Sequence, residues 1–492
     1  MTKNDYLKLI DKVIAAGPYD DTWESLCRWE APEWYKDAKL GIFIHWGVYA
    51  VPAYGSEWYS RYMYVKGSKE YEHHQKTYGT QDKFGYKDFI PMFKGEKFDA
   101  AEWVKLFKEA GAKYIMPVSE HHDGFQMYES ELSEWNAGKM GPCRDVISEL
   151  KKACEDEGMT LTLSNHRAEH CWFFNGGLDY ECDVNDPLYE SFYDKQQAKI
   201  DIDIMDIYAF PPPASHCEDW LARLCEIVEK YRPAIMYFDW WIHNTGFAPY
   251  LRKFAAYYYN RMAQSGLTGI INYKFRAFAP GSAVFDVERG QLNGINPRIW
   301  QTCTAAARNS WGYTENNDFK DPAELIRDLI DIVSKNGRML LNVGPRADGS
   351  ITDEDRDILA KIGAWLKING EGINGTSFFE VFGEGSTNIG GGSMTDGKPL
   401  EYTENDIRFT QRGGFVYAFL MKYPPNGKIA IKYFKKHTPQ YHSGGDLDIK
   451  EVTVLGYDVP LTFSRDDDAM NIQIGGAVKS DYPVCLKIKI YP

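Results

Sequence analysis

DAAEWVKLFKEAGAKYIMPVSEHHDGF, residues 99–125, contains one complete unit of the fold. Asp99 and Glu102 bracket a helix start, where a carboxylate accepts from amides that the first turn leaves unpaired. WVKLFKEA carries apolar residues at helical spacing, and Gly111 ends it. AKYIMPVS, residues 112–119, is almost continuously apolar, as a strand covered on both faces must be. It then turns abruptly polar at Glu120-His121-His122-Asp123. A helix leading into a buried strand with polar groups at its end is the repeating unit of a parallel α/β fold.

The same grammar recurs outward from that unit. Further strand candidates are 38–45, 159–165, 201–208, 234–240, 267–273 and 338–344. Helix starts read at Asp321-Pro322-Ala-Glu324, with proline in the first turn, and at Thr352-Asp-Glu-Asp355. Gly158 and Gly337 are expected to stop helices as Gly111 does. So many βα units favour a closed (β/α)8-like, TIM-type barrel over an open sheet. After about residue 375 no helical period is evident. Glycine-rich turns at 390–392, 413–414 and 444–445 separate alternating runs such as FVYAFLM and LKIKIYP, which reads as an antiparallel β-sandwich. The expected domains are a barrel over 1–375 and a sandwich over 376–492, packed directly on each other.

Composition narrows the function classes. The chain has 492 residues, 44% hydrophobic and 26% charged, so it is globular rather than disordered. A net charge of −14 lacks the footprint for nucleic acid or for an anionic membrane surface. No stretch reaches about 18 apolar residues, and the N-terminus has no signal-like apolar core. Nine cysteines, an odd number without a CxxC pair, read as reduced thiols of a cytoplasmic protein. GxxxxGK[ST] does not occur, which excludes the P-loop phosphate cradle, and no GxSxG elbow supports a serine nucleophile. Association state is left open.

Barrel enzymes place their chemistry at the C-terminal ends of strands. Here those ends carry His45, Glu57-Trp58, His121-His122, His166 through His170, Asp239-Trp240-Trp241 and Asn272-Tyr273-Lys274. Asp286-Val-Glu288-Arg289-Gly290 is read as a loop beyond. One reading is a metal site, since His166-Arg-Ala-Glu169-His170 matches H-x-x-E-H. That motif needs a helix, and this segment follows a strand. The other reading is glycoside hydrolysis, which needs two carboxylates beside a polar pocket. Asp239, rigid at the end of an apolar strand and next to tryptophans suited to a sugar face, fits the nucleophile. Neutral histidines would hydrogen-bond a polyol. No cofactor or metal is expected.

At this point a family is recognisable. WYKDAKLGIFIHWGVYAVPAYGSEWY, AKYIMPVSEHHDGF, Asp239 and SWGYTENNDFKDPAELIRDLIDIVSKNGRMLLNVGPRADGSI resemble glycoside hydrolase family 29, the α-L-fucosidases. The region after residue 405 resembles that family's C-terminal β-domain. The resemblance implies an exo-acting, retaining enzyme removing terminal α-L-fucose from oligosaccharides or glycoconjugates. It implies Asp239 as nucleophile and Glu288 as acid/base, with Glu169 the runner-up. It implies His45, Glu57, Trp58, His121, His122, Lys274 and Trp311 around the sugar, with Arg276 an alternative to Lys274. The third strand end departs from the family pattern, and His166 is chosen as the residue touching the sugar there. Alternatives are a barrel glycosidase for α-L-galactose and a catalytically silent fucose-binding protein.

Overall fold

The computed structural model describes residues 1–198, 206, 208–387, 390–437, 447–476 and 478–490. The barrel strands are β1 (Leu40–Ile44), β2 (Tyr114–Glu120), β3 (Thr160–Leu161), β4 (Leu163–Asn165), β5 (Ile235–Phe238), β6 (Ile270–Tyr273), β7 (Val284–Glu288), β8 (Trp300–Ala305) and β9 (Gly337–Val343). All pair in parallel, and β1 closes the ring by pairing with both β2 and β9. β3 and β4 form one stave interrupted at Thr162, so the barrel is eight-membered.

The opening unit folds as its sequence dictates. Asp99 caps the helix Ala100–Glu109 by accepting from the Glu102 amide, and Gly111 takes a φ of 92° before β2 begins. Asp321 and Thr352 likewise cap the helices Pro322–Ser334 and Asp353–Asn369. Gly337 does not act as a stop. The left-handed position is Asn336, with a φ of 71°, and Gly337 opens β9 where an added Cβ would stand 2.6 Å from Trp300.

One expectation about strands is corrected, and one strand was not foreseen. Residues 286–288, read as a loop, lie in β7, and β8 was not anticipated at all. The candidate strand 201–208 lies outside the described residues except for Asp206 and Tyr208, neither of which is in a strand. The barrel closes without it, because β4 pairs directly with β5.

β7 and β8 hold a polar layer inside the barrel. Gln301 donates to Asp286 (2.8 Å) and accepts from Tyr35 and Tyr114. Tyr237 and Cys303 donate to the other Asp286 oxygen. Burial pushes the Asp286 carboxyl up to about 6. This network is satisfied on all sides and forms a rigid floor beneath the strand ends.

The C-terminal strands are β10 (Ser377–Glu384), β11 (Ile407–Arg412), β12 (Phe415–Leu420), β13 (Lys428–Ile431), β14 (Glu451–Val454), β15 (Leu461–Arg465), β16 (Met470–Ile474) and β17 (Val484–Lys489). They form two antiparallel sheets, ordered β10-β11-β12-β17-β14 and β13-β16-β15. Phe409, Val416, Ala418 and Leu420 of one sheet share a core with Ile429, Ile431 and Ile472 of the other, so the two sheets make a sandwich. It packs directly on the barrel. Tyr417, Phe419 and Cys485 belong to the barrel's own apolar core, and the Trp365 indole donates to the Pro483 carbonyl (2.8 Å). Arg408 reaches across to Asp331 (2.5 Å), both fully buried. No helix among the described residues is long and apolar enough to cross a membrane, and all nine cysteines are unpaired.

Candidate active site

The C-terminal strand ends surround a cavity of about 550 Å³ lined by His45, Glu57, Trp58, His121, His122, His166, Asp239, Lys274, Glu288 and Trp311. All ten residues singled out in the sequence therefore meet in one place. Each comes from a strand end or the loop that follows it: His45 from β1, His121 and His122 from β2, His166 from β4, Asp239 from β5, Lys274 from β6, Glu288 from β7 and Trp311 from β8.

Lys274 is the hub. Its ammonium lies 2.6 Å from Asp239 Oδ1 and 2.7 Å from Glu288 Oε2. The two carboxyls respond differently. Burial, the largest influence on Asp239, raises its pKa, but Lys274, His166 and His122 outweigh it and hold the group well below the usual carboxylate range. Glu288 is raised, by burial first and by the Asp239 charge, with Lys274 only partly offsetting them. Two carboxyls pushed apart in this way are equipped for opposite roles in proton transfer.

The histidines divide similarly. Burial holds His45 and His121 well below their ordinary value and His166 at about 4, so these rings are neutral. His45 Nδ1 is fixed by Asn342 Oδ1 at 2.6 Å. That leaves Nε2 with its lone pair. His121 Nδ1 is buried without a hydrogen-bond partner. Such an atom is costly unless a ligand satisfies it. His122 is the exception. Burial lowers it, yet Glu169 at 3.0 Å and Asp239 carry it up to about 9, so it is an imidazolium.

Glu57 Oε2 accepts from Ser310 Oγ (3.0 Å) and the Trp311 amide (2.9 Å), which anchors the Trp311 loop. Arg289 stacks its guanidinium 4.6 Å from the Trp311 ring rather than pairing with Glu288. Glu169 is fully buried behind His122 and does not line the cavity. Arg276 is exposed and likewise does not reach it. Trp240 lines the wall, whereas Trp241 is buried beneath it.

The H-x-x-E-H zinc reading finds no support in the geometry. His170 engages both ring nitrogens with the main-chain carbonyls of His122 (2.8 Å) and Phe192 (2.9 Å). Two other trios among the described residues, His45-His121-His166 and His122-His166-Asp239, bring possible ligand atoms within 4.8 Å of one another and could hold a cation. Those atoms are equally placed to meet sugar hydroxyls.

Sequence reasoning missed Phe43, Tyr237, Phe275, Ser393 and Met394, which also line the cavity. The last two come from the C-terminal domain. A larger cleft of about 950 Å³ lies elsewhere, at the seam of barrel and sandwich, and holds Arg28, Arg298, Arg338 and Arg412. It has no carboxyl pair held by a common cation, so the chemistry belongs to the smaller cavity.

A parallel barrel with two electrostatically differentiated carboxyls among neutral histidines and tryptophans at its strand ends defines a glycoside hydrolase. The α-L-fucosidase family model matches residues 7–371, and the model of the α-L-fucosidase C-terminal domain matches 401–489. The chain belongs to the α-L-fucosidase family. It is 30% identical to the human plasma α-L-fucosidase over 462 residues, covering 91% of this chain and 86% of that one. It is 30% identical to the α-L-fucosidase of Dictyostelium discoideum over 447 residues, covering 87% and 86%. The structure of the Thermotoga maritima α-fucosidase in complex with a mechanism-based inhibitor aligns with a TM-score of 0.74 at 27% identity, covering 96% of this chain and 100% of that one.

Proposed function

We propose that this enzyme removes terminal α-L-fucose from oligosaccharides or glycoconjugates by double displacement, with Asp239 as nucleophile and Glu288 as acid/base. The observation that carries this reading is the shared ammonium. Because both oxygens lie so close to Lys274 Nζ, they are within about 5.3 Å of each other, and retaining enzymes keep their carboxyls roughly 5–5.5 Å apart. An inverting enzyme needs more room, for a water between them.

Asp239 is ionised and held at one oxygen by Lys274, with His166 Nδ1 3.3 Å from the other, so its attack geometry is set before substrate enters. Glu288, kept protonated to higher pH, gives its proton to the departing oxygen and then takes one from water. The neutral imidazoles of His45, His121 and His166 suit ring hydroxyls, and His122 adds a positive charge fixed by Glu169. Trp58 and Trp311 supply flat apolar faces. A polar floor walled by histidines receives one sugar ring end-on, which supports exo action. The division at 375/376 is supported by β10 opening at Ser377, and the unpaired thiols support a reducing, cytoplasmic setting.

The test is the anomeric form of the first product, followed by proton NMR during hydrolysis of an aryl α-L-fucoside. We expect α-fucose first, with the β-anomer appearing only by mutarotation. A β-first product would establish inversion and remove Asp239 from the role of nucleophile.

A further inference from the structure

Ser393 and Met394 belong to the connection between β10 and β11, yet they line the barrel's cavity beside Glu288. The approach is built, not incidental. The Gly392 amide donates to the Gln291 carbonyl (2.9 Å), the Met394 amide to the Glu288 carbonyl (2.8 Å) and the Thr395 amide to the Arg289 carbonyl (2.7 Å). Residues 392–395 thus lie along the end of β7 as a short strap. Asp396 secures its far end to Lys320 (2.5 Å) and Thr304 Oγ1 (2.7 Å). Gly290 makes the contact attainable, since a Cβ there would stand 1.9 Å from the Gly392 carbonyl oxygen.

Met394 is held in an unusual way. Its φ is 58°, in the left-handed region that a long side chain seldom adopts, and it remains 63% exposed. An exposed thioether held by strained backbone at the mouth of a pocket is a surface prepared for contact. Phe275, also at positive φ (54°) and 38% exposed, lines the same cavity.

We propose that the strap of the C-terminal domain is the aglycone subsite, with Met394 and Ser393 selecting which fucosides are accepted. This rests on the reading of Glu288 as general acid. An acid must stand beside the oxygen it protonates, so the leaving group emerges on the Glu288 side, where the strap is bonded to Glu288's own main chain. The chemistry that fits is a pyranose aglycone. Its C–H face packs on the Met394 thioether and the Phe275 ring, and a hydroxyl meets Ser393 Oγ. The sandwich then takes part in substrate recognition.

The test compares a fucosylated trisaccharide with α-L-fucosyl fluoride, which has no sugar aglycone and whose fluoride needs little proton assistance. The readout is the ratio of kcat/KM for trisaccharide to kcat/KM for fluoride. Met394→Ala should lower this ratio roughly tenfold, the order of one apolar pocket contact, and Met394→Leu should restore most of it. Fluoride turnover serves as the folding control within each variant. An unchanged ratio in Met394→Ala and Ser393→Ala, whether both activities persist or fall together, would overturn the subsite. Failure of the underlying reading looks different: Glu288→Ala would leave the wild-type ratio unchanged, or the wild type would hydrolyse neither substrate.

Discussion

Lys274 sets how the two carboxyls behave, because its single charge cannot fully satisfy both. It helps hold Asp239 ionised while Glu288, buried and facing that anion, stays protonated to higher pH. The alkaline limb of the pH–rate profile should therefore report the loss of Glu288's proton. Glu288→Ala should flatten that limb, leaving the decline near 9 where His122 loses its proton. It should cost little on an activated aryl fucoside but roughly 10²–10⁴-fold on a sugar alcohol leaving group. Steady-state kinetics on both substrates would check this. Glu169→Gln should instead slow both alike, since Glu169 acts only by keeping His122 charged; leaving-group dependence in that variant would move the acid/base role to it. His45, His121, His122, Asp239 and Lys274 were legible because each ends or directly follows a strand whose apolar run points to it, whereas Glu288 and Trp311, on β7 and after β8, were assigned through the family resemblance. Lys274 directly follows Ile-Ile-Asn-Tyr. Nothing comparable marks Met394, whose place is set by another domain folding back onto β7.

At the scale of elements, β7 and β8 escaped the sequence because they break the rule the other strands follow. Their inward residues include Asp286, Gln301 and Cys303, paired with one another or with tyrosines, and Thr302 on the opposite face bonds main-chain carbonyls, so neither strand shows a continuous apolar run. The opening unit was legible because its cap, helix period, stop and strand agree. Gly290 carries the element-scale prediction. Gly290→Ala places a methyl against the Gly392 carbonyl, and neither main chain has room to yield without parting. We expect a loss of about 1–3 kcal/mol, the usual cost of overpacking, seen as a lower Tm. Limited proteolysis should also cut first within 390–396. An unaltered Tm and digestion pattern would show that the strap tolerates displacement.

For the whole molecule, the question is what the sandwich does for the barrel. Phe419, Tyr417 and Cys485 complete the barrel's core, Trp365 donates across the seam, and Arg408 enters beside Asp331 and Lys335. Cutting at Thr376 would open this apolar seam to water, which is an aggregation surface. A chain of residues 1–376 should therefore be largely insoluble, by sedimentation of expressed lysate. The strap separates this structural role from the catalytic one. Residues 390–396 depart with the sandwich, while Asp239, Glu288 and Lys274 stay. Any fragment recovered soluble should keep some hydrolysis of α-L-fucosyl fluoride but lose trisaccharide hydrolysis disproportionately, as Met394→Ala does. A soluble fragment with full activity on both substrates would contradict both roles at once. One with equal losses on both would confine the sandwich to support, because a fluoride leaving group never meets the strap.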